Sequence, residues 1–250
     1  MRKEIYLPIL GIAAGELLLF MGHVYIALAV HVINLQAITL VLVFGRSSPG
    51  IKCVLQSLLL PLQMRIINLA IPQFFTITLL WYPLVYGIMF IPIYYIIMSQ
   101  NISSKDMGIS FRRFYIYIPA ALFIGAAMAM IEFRILNPAP LITNLKFQNI
   151  FLITMVMFVF VGAVEELIFR SILQTRLEKV FGPNQGLLLG AAIFGIMHAG
   201  YGVTNEVLFA FFAGLVIGYI FQKTRSLPFI LVIHGTANVF LFGILPIISA

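Results

Sequence analysis

The sequence predicts an all-α protein, a polytopic transmembrane bundle of about eight or nine membrane segments. Of its 250 residues, 62% are hydrophobic and only 9% are charged, whereas a soluble domain carries about 25% charged residues. The apolar runs are long and unbroken, unlike the short alternating strands of a membrane barrel. Most of the chain therefore belongs in lipid, where helices satisfy their own backbone hydrogen bonds.

Nine apolar segments can be counted along the chain. They lie at residues 5–21, 24–44, 54–70, 74–98, 114–133, 149–169, 185–200, 206–222 and 227–248. The third contains Pro61 and Arg65, and Pro72 lies just beyond it. At this position the sequence alone leaves a span, a re-entrant piece and an interfacial helix all open.

The distribution of basic residues favours nine spans. If all nine segments cross, one set of loops holds twelve Lys and Arg residues and the opposite set holds only Arg134 and Lys146. The larger set is Arg2, Lys3, Arg46, Lys52, Lys105, Arg112, Arg113, Arg170, Arg176, Lys179, Lys223 and Arg225. Basic residues concentrate in cytoplasmic loops, so we expect a multi-pass protein of the cell membrane with a cytoplasmic N-terminus.

The charge and the cysteine usage exclude other classes. A net charge of +7 is accounted for by the cytoplasmic loops of a membrane protein, and no basic stretch is interleaved with exposed aromatic residues. We therefore expect the lipid bilayer, and not nucleic acid, as a partner. The single cysteine, Cys53, cannot form an internal disulfide, and there is no Cys/His cluster with zinc-finger spacing.

Polar residues divide one integral membrane domain, residues 1–250, into two parts. The polar stretch around Asn137–Asn149 separates them. Residues 1–145 form N-terminal helices whose role the sequence leaves open, including the roles of Glu16, His31 and Arg65. Residues 146–250 hold a concentration of ionisable groups, which inside a membrane usually mark function. We expect this C-terminal part to be the catalytic core.

Two adjacent carboxylates follow a long apolar run near residue 165. On a helix, Glu166 and Arg170 are four residues apart and can form an ion pair. Glu165 then points roughly 100° away from Glu166. A helix-end ion pair at the lipid headgroups would explain Glu166 and Arg170, but it would leave the Glu165 carboxylate without a partner.

The spacing around a predicted turn places His198 beside Glu165. The turn is the stretch Phe181–Asn184, which contains a Gly-Pro breaker. Glu165 lies seventeen residues before Gly182 and His198 sixteen residues after it. At about 1.5 Å per residue, both side chains are roughly 25 Å from the turn. Antiparallel helices would therefore hold them at the same depth.

His234 and Asn238 are four residues apart and share one helix face. The small residues between them could admit another backbone or a substrate. A hydrogen-bonding pair between helices is the structural alternative. A Glu beside a His can deprotonate a water, and a His with an Asn can donate to an oxyanion. Together with Glu165 and His198, this set is suited to hydrolysis, and we expect all four side chains to line one cavity.

Three motifs occur in order in the C-terminal part: EExxxR from Glu165, FxxxH from Phe194 and HxxxN from His234. Over residues 149–248, this pattern resembles the CPBP family, also called the Abi or CAAX-protease family, which includes the type II CAAX prenyl endopeptidases. The sequence Asp106-Met107-Gly108 is similar to a further feature common in that family.

The resemblance implies a role for each matched position. Glu165 would be the general base that activates water, aided by His198. His234 and Asn238 would form the oxyanion hole. The supporting residues would be Glu166, Arg170 and Phe194. The implied activity is that of an intramembrane endopeptidase acting on a peptide or protein substrate at the membrane, either a CAAX-type prenylated C-terminus or another membrane-associated peptide.

Metal dependence is open at this point. Glu165, His198 and His234 could ligate Zn²⁺ and leave one position for water. The sequence lacks the HExxH motif of helical zinc proteases, and asparagine is a poor zinc ligand. We therefore favour a glutamate mechanism without a cofactor, with Zn²⁺ as the alternative.

Two other functions fit the same composition. In a proton-coupled transporter, intramembrane Glu and His residues relay protons, and Glu16 and His31 would take part. A non-catalytic peptide-toxin immunity or scaffold protein on the same fold would tolerate substitution of Glu165. The endopeptidase hypothesis instead places Glu16 and His31 outside the cluster around Glu165.

Overall fold

A computed structural model describes residues 3–71, 78–111 and 114–249, and all regular secondary structure in these ranges is helical. A short 3₁₀ turn, Ala199–Tyr201, joins two of the helices. The helices are α1 Lys3–Phe20, α2 Val24–Phe44, α3 Pro49–Ala70, α4 Trp81–Ser99, α5 Phe114–Leu136, α6 Phe147–Phe181, α7 Pro183–Ile196, α8 Thr204–Thr224 and α9 Leu227–Ile248.

Seven of the described helices are long and apolar enough to cross a membrane: α2, α3, α4, α5, α6, α8 and α9. The predicted class, an all-α multi-pass membrane protein, is confirmed. The uncertain third segment, 54–70, lies within α3, which has the length and composition of a span despite Pro61. At 14 residues, α7 is too short to cross alone.

Helix α6 corrects one predicted boundary. The sixth segment was expected to end at residue 169, with Arg170 in a loop, but α6 continues to Phe181 and Arg170 is buried within it. The cause is local. The Arg170 guanidinium lies 3.2 Å from Glu166 and 4.1 Å from the ring centroid of Phe194. Because its charge is paired inside the bundle, Arg170 does not have to reach the headgroups.

Two other boundaries differ from the expected ones. The first part of the segment 74–98 falls outside the described residues, and the described helix begins at Trp81. The segment 185–200 ends early, because α7 stops at Ile196 and leaves His198 in the following turn. The predicted turn between α6 and α7 is confirmed: Gly182 has a φ of +89°, and Pro183 is the first residue of α7.

The carboxylates of α6 lie between two widened stretches of that helix. Val156–Gly162 and Leu167–Gln174 form π-helical turns, and Glu165 and Glu166 occupy the α-helical turn between them. Such turns occur often at functional sites because they change which residues share a face. The polar side chains of this stretch contact α4, α7 and α9.

The loop before α5 docks onto the C-terminal helices. Ser171 on α6 donates a hydrogen bond to the carbonyl oxygen of Met107, at 2.7 Å. The backbone N–H of Leu227, at the start of α9, donates to the carbonyl oxygen of Gly108, also at 2.7 Å. Ser103 caps the loop, and its hydrogen bonds lower the pKa of the Asp106 carboxyl group. The Asp106-Met107-Gly108 sequence thus serves as a docking element for α6 and α9.

We predict that Gly108→Ala destabilises the protein through both strain and overlap. Gly108 has a φ of +78°, and an added Cβ would lie 2.6 Å from the Phe221 ring. Gly22→Ala is the matched control, because its φ is +82° but no atom lies within 4 Å of the added Cβ. Strain alone should cost about 1 kcal/mol, and overlap about 1–3 kcal/mol more. Thermal unfolding in detergent measures both, and equal losses would contradict the predicted overlap.

Candidate active site

Glu166 connects α6 to α9. Its Oε1 atom lies 3.2 Å from Nη1 of Arg170 and 2.6 Å from Nδ1 of His234. The carboxylate is fully buried, and Arg170 is nearly so. Because an ionised carboxylate only accepts hydrogen bonds, Nδ1 of His234 must carry the hydrogen. The predicted Glu166–Arg170 pair is present, and its contact with His234 is an addition that the sequence did not indicate.

Phe194 packs at the centre of the site. Its ring lies under the Arg170 guanidinium, with 4.1 Å between the guanidinium carbon and the ring centroid. The same ring packs against the imidazoles of His198 and His234, at centroid distances of 4.8 and 6.3 Å. One aromatic side chain therefore contacts three of the polar groups selected from the sequence.

Glu165 points away from the Arg170 pair and is held by other partners. Its Oε1 accepts a hydrogen bond from the Tyr86 hydroxyl at 2.8 Å, and its Oε2 lies 3.7 Å from Nε2 of His234. Tyr86 comes from α4, in the N-terminal part. Sequence analysis did not select it, because tyrosine in an apolar span is common and carries no charge.

His198 lies in the turn after α7, with its ring orientation fixed. Its Nδ1 is 2.9 Å from the carbonyl oxygen of Phe194. A carbonyl oxygen can only accept, so Nδ1 donates and Nε2 of a neutral ring is left as an acceptor. A nitrogen lone pair of this kind can accept a hydrogen bond from a water.

Two cavities meet at His198. The larger has a volume of about 360 Å³ and is lined by Glu165, His198 and Tyr86 among others. The smaller, about 40 Å³, is lined by His198, His234 and Asn238. The expectation of one cavity for all four residues is therefore wrong. The two cavities adjoin, because Nε2 of His234 lies 3.7 Å from Oε2 of Glu165 and His198 lines both.

The smaller cavity also contains two carboxyl groups that were expected at helix ends and not in the site. Glu132 on α5 and Glu206 on α8 lie against each other in its wall. Glu206 is fully buried although it is in the first turn of its helix. Because both residues lie near helix ends, where charged side chains commonly face the lipid headgroups, their burial could not be predicted from the sequence.

The small residues between His234 and Asn238 serve helix packing. A Cβ at Gly235 would lie 2.5 Å from the Phe158 ring of α6, and Thr236 lies against Gly125 of α5. Neighbouring helices, and not a substrate, therefore occupy the space that these small residues provide.

Glu16 and His31 lie outside the cluster around Glu165, as expected. Glu16 lies 2.6 Å from Nε of Arg65, and His31 lies 3.5 Å from Glu16. Arg65 itself lines the larger cavity together with Glu165 and His198. The N-terminal helices thus contribute both Tyr86 and Arg65 to the candidate site.

The possible zinc ligands Glu165, His198 and His234 are not arranged as a metal site. Within residues 3–71, 78–111 and 114–249, no three His, Cys, Asp or Glu side chains are grouped as a metal site would require. The Glu165–His234 separation is 3.7 Å, and one nitrogen of His234 is already engaged by Glu166.

Fold and site together define a multi-pass helical membrane protein with a buried glutamate–histidine centre. Residues 147–240 match a protein-family model described as type II CAAX prenyl endopeptidase Rce1-like. The matched region contains all three motifs and confirms the resemblance expected from them. It spans α6, α7, α8 and the first part of α9, and it covers less than half of the chain. No curated protein and no solved structure gives a match.

We predict that Glu166→Gln costs about 3–5 kcal/mol of stability, because it leaves the buried Arg170 charge without its partner. Replacing both residues, as Glu166→Gln/Arg170→Met, should cost less than the single change, since no unpaired charge remains. Thermal unfolding in detergent gives the comparison. The single variant Arg170→Met completes the comparison. If the stability lost by the double variant equals the sum of the losses of the two single variants, the residues are not coupled.

Proposed function

We propose that this chain is a membrane-embedded endopeptidase in which Glu165 activates the attacking water. The observation that carries the proposal is the shared cavity of Glu165 and His198. The adjacent Glu166 is paired with Arg170, so Glu165 is the carboxylate left to act as a base. This supports the assignment that the resemblance implied.

A water between Glu165 and His198 would be held by two acceptors. The Glu165 carboxylate takes a proton as the water oxygen attacks the carbonyl carbon of the peptide bond. Nε2 of His198 accepts a hydrogen bond from the second O–H of the water. This hydrogen bond directs the lone pair of the water oxygen toward the carbonyl carbon. The Tyr86 hydroxyl holds the carboxylate in place through Oε1, which leaves Oε2 for the proton.

His234 and Asn238 supply donors for the oxyanion of the tetrahedral intermediate. With Nδ1 donating to Glu166, a His234 ring that is protonated on both nitrogens donates from Nε2. The Asn238 amide donates from the same helix face. Removing one donor of this kind typically costs about 10²–10³-fold in rate.

The second step returns the proton. The protonated Glu165 gives its proton to the amide nitrogen as the carbon–nitrogen bond breaks. The products are a carboxylic acid and an amine, one water has been consumed, and Glu165 is again ionised. No further reactant is needed.

The matched family and the cavity walls support one class of substrate. The family description names CAAX prenyl endopeptidases, which supports a prenylated C-terminal peptide at the membrane as the substrate. The 360 Å³ cavity is within the size range of ligand pockets, and most of its wall is apolar or aromatic. We propose further that the protein lies in the cell membrane with its N-terminus in the cytoplasm.

The alternatives predict different outcomes in one assay. A scaffold or immunity protein would show no cleavage and no effect of Glu165 substitution. The transporter hypothesis relied on Glu16 and His31, and Glu16 is paired with Arg65. No observation on the described residues favours either alternative over the endopeptidase.

We predict that purified protein in lipid nanodiscs cleaves a farnesylated peptide ending in a CAAX sequence faster than the unmodified peptide. Glu165→Gln and His198→Ala should each lower kcat by about 10²–10⁴-fold. The control Glu178→Gln changes a carboxylate of α6 that lines neither cavity, and it should keep wild-type kcat. Wild-type cleavage by Glu165→Gln would overturn the mechanism.

We predict that a zinc chelator leaves this cleavage unchanged, because the mechanism uses only side chains and water. The same peptide assay is run with chelator, and then with Zn²⁺ added back. A loss of activity that Zn²⁺ restores would instead assign Glu165, His198 and His234 as metal ligands.

A further inference from the structure

Three ionisable side chains of the first three helices form a buried cluster, here called the N-terminal triad: Glu16, His31 and Arg65. Nε of Arg65 lies 2.6 Å from Oε1 of Glu16, and Nε2 of His31 lies 3.5 Å from the same oxygen. Glu16 and His31 are fully buried, and Arg65 is only 7% exposed. The triad therefore ties α1, α2 and α3 together at one point.

The packing around the triad leaves Arg65 little freedom. A Cβ atom at Gly15 would lie 2.6 Å from the His31 ring, so glycine is what lets α1 and α2 approach closely enough to place His31 against Glu16. A charge inside a membrane protein is costly unless it is paired. Glu16 therefore holds the Arg65 guanidinium in one position, and the His31 ring lies beside the same carboxylate.

Arg65 extends from the triad to the turn that carries His198. Its Nη2 donates a hydrogen bond to the carbonyl oxygen of Met197, the residue before His198. Its Nη1 lies 3.5 Å from the position that a Cβ of Gly200 would occupy, on the other side of His198. Carbonyls at a helix C-terminus lack partners within the helix, and a cation there interacts favourably with the helix dipole.

The position of this turn sets the distance between the two water-holding groups. Glu165 is fixed by Tyr86 on α4, whereas His198 is fixed within its own turn by the Phe194 carbonyl oxygen. The two side chains can hold one water between them only if the His198 turn keeps a constant distance from Glu165 on α6. Small displacements of reacting groups cost large factors in rate.

We propose that Arg65 is a positioning residue for the His198 turn, and that its ion pair with Glu16 holds it in place for this role. The catalytic part of this inference rests on the proposed endopeptidase function. The holding of the turn is a structural property that can be measured without activity. The N-terminal helices would then complete a site whose reacting groups lie in the C-terminal part.

Two variants test the proposal. Arg65→Lys keeps a positive charge beside Glu16 but lacks the planar fork that reaches Glu16 and Met197 together. Glu16→Gln/Arg65→Met removes both charges, so neither partner is left buried and unpaired. The matched control is Glu178→Gln/Arg225→Met, which removes a Glu–Arg pair at 2.8 Å that lines neither cavity.

Each protein is assayed for kcat and KM on the farnesylated CAAX peptide, and for hydrogen exchange of the turn. Both Arg65 variants should lower kcat about 10- to 100-fold with KM within about threefold of wild type. They should also speed exchange at the amides of His198, Tyr201 and Gly202, which are hydrogen-bonded within the turn. The control should keep wild-type kcat and exchange.

The outcomes separate this proposal from the proposed function. Turn exchange that stays at the wild-type level in both Arg65 variants overturns the proposal whatever the activity. Faster exchange with wild-type kcat also overturns it, because the turn would then move without consequence for catalysis. If the wild-type protein cleaves no peptide, the proposed function fails, and exchange alone decides whether Arg65 holds the turn.

Discussion

One oxygen of Glu166, Oε1, contacts both Nη1 of Arg170 and Nδ1 of His234. The geometry of the site depends on this arrangement. Arg170 comes from the same helix, and its guanidinium also rests on Phe194 of α7. His234 comes from α9. Three helices are therefore fixed to one another through one buried carboxylate, and its neighbour Glu165 is turned toward the larger cavity.

Lipid makes such pairing more necessary than it is in a soluble protein. Water cannot stabilise an unpaired charge in the middle of the bundle, so each buried charge must find its partner within the protein. The same constraint explains the N-terminal triad, where Arg65 pairs with Glu16. The two networks lie on different helices, and both reach the walls around Glu165 and His198.

Much of this arrangement follows from local sequence rules. Apolar run lengths predicted the spans, the four-residue spacing predicted the Glu166–Arg170 pair, and the Gly-Pro breaker predicted the turn at Gly182. These features depend on residues close together in the chain. They require no knowledge of which helices become neighbours. The described residues contain the ion pair, the turn and seven helices of spanning length, whereas the segment 185–200 forms a helix too short to cross alone.

The features that the sequence did not predict depend on which helices meet. Tyr86 is an uncharged residue in an apolar span, and nothing in its surroundings indicates that it contacts Glu165 across 79 positions. The extension of α6 past Arg170 depends on Phe194 from the next helix. The contact between Glu166 and His234 joins α6 to α9 across 68 positions. Such contacts between distant segments leave no local pattern.

The π-helical turns of α6 also determine where this helix could lose a residue. A π-helical turn accommodates an additional residue while the flanking helix keeps its direction. A chain one residue shorter in Val156–Gly162 or Leu167–Gln174 would return to a regular helix there and leave Glu165 facing the same way. A deletion elsewhere in α6 would rotate one end against the other by about 100°. Helix α6 therefore has two places where its residue count can change without turning the carboxylates.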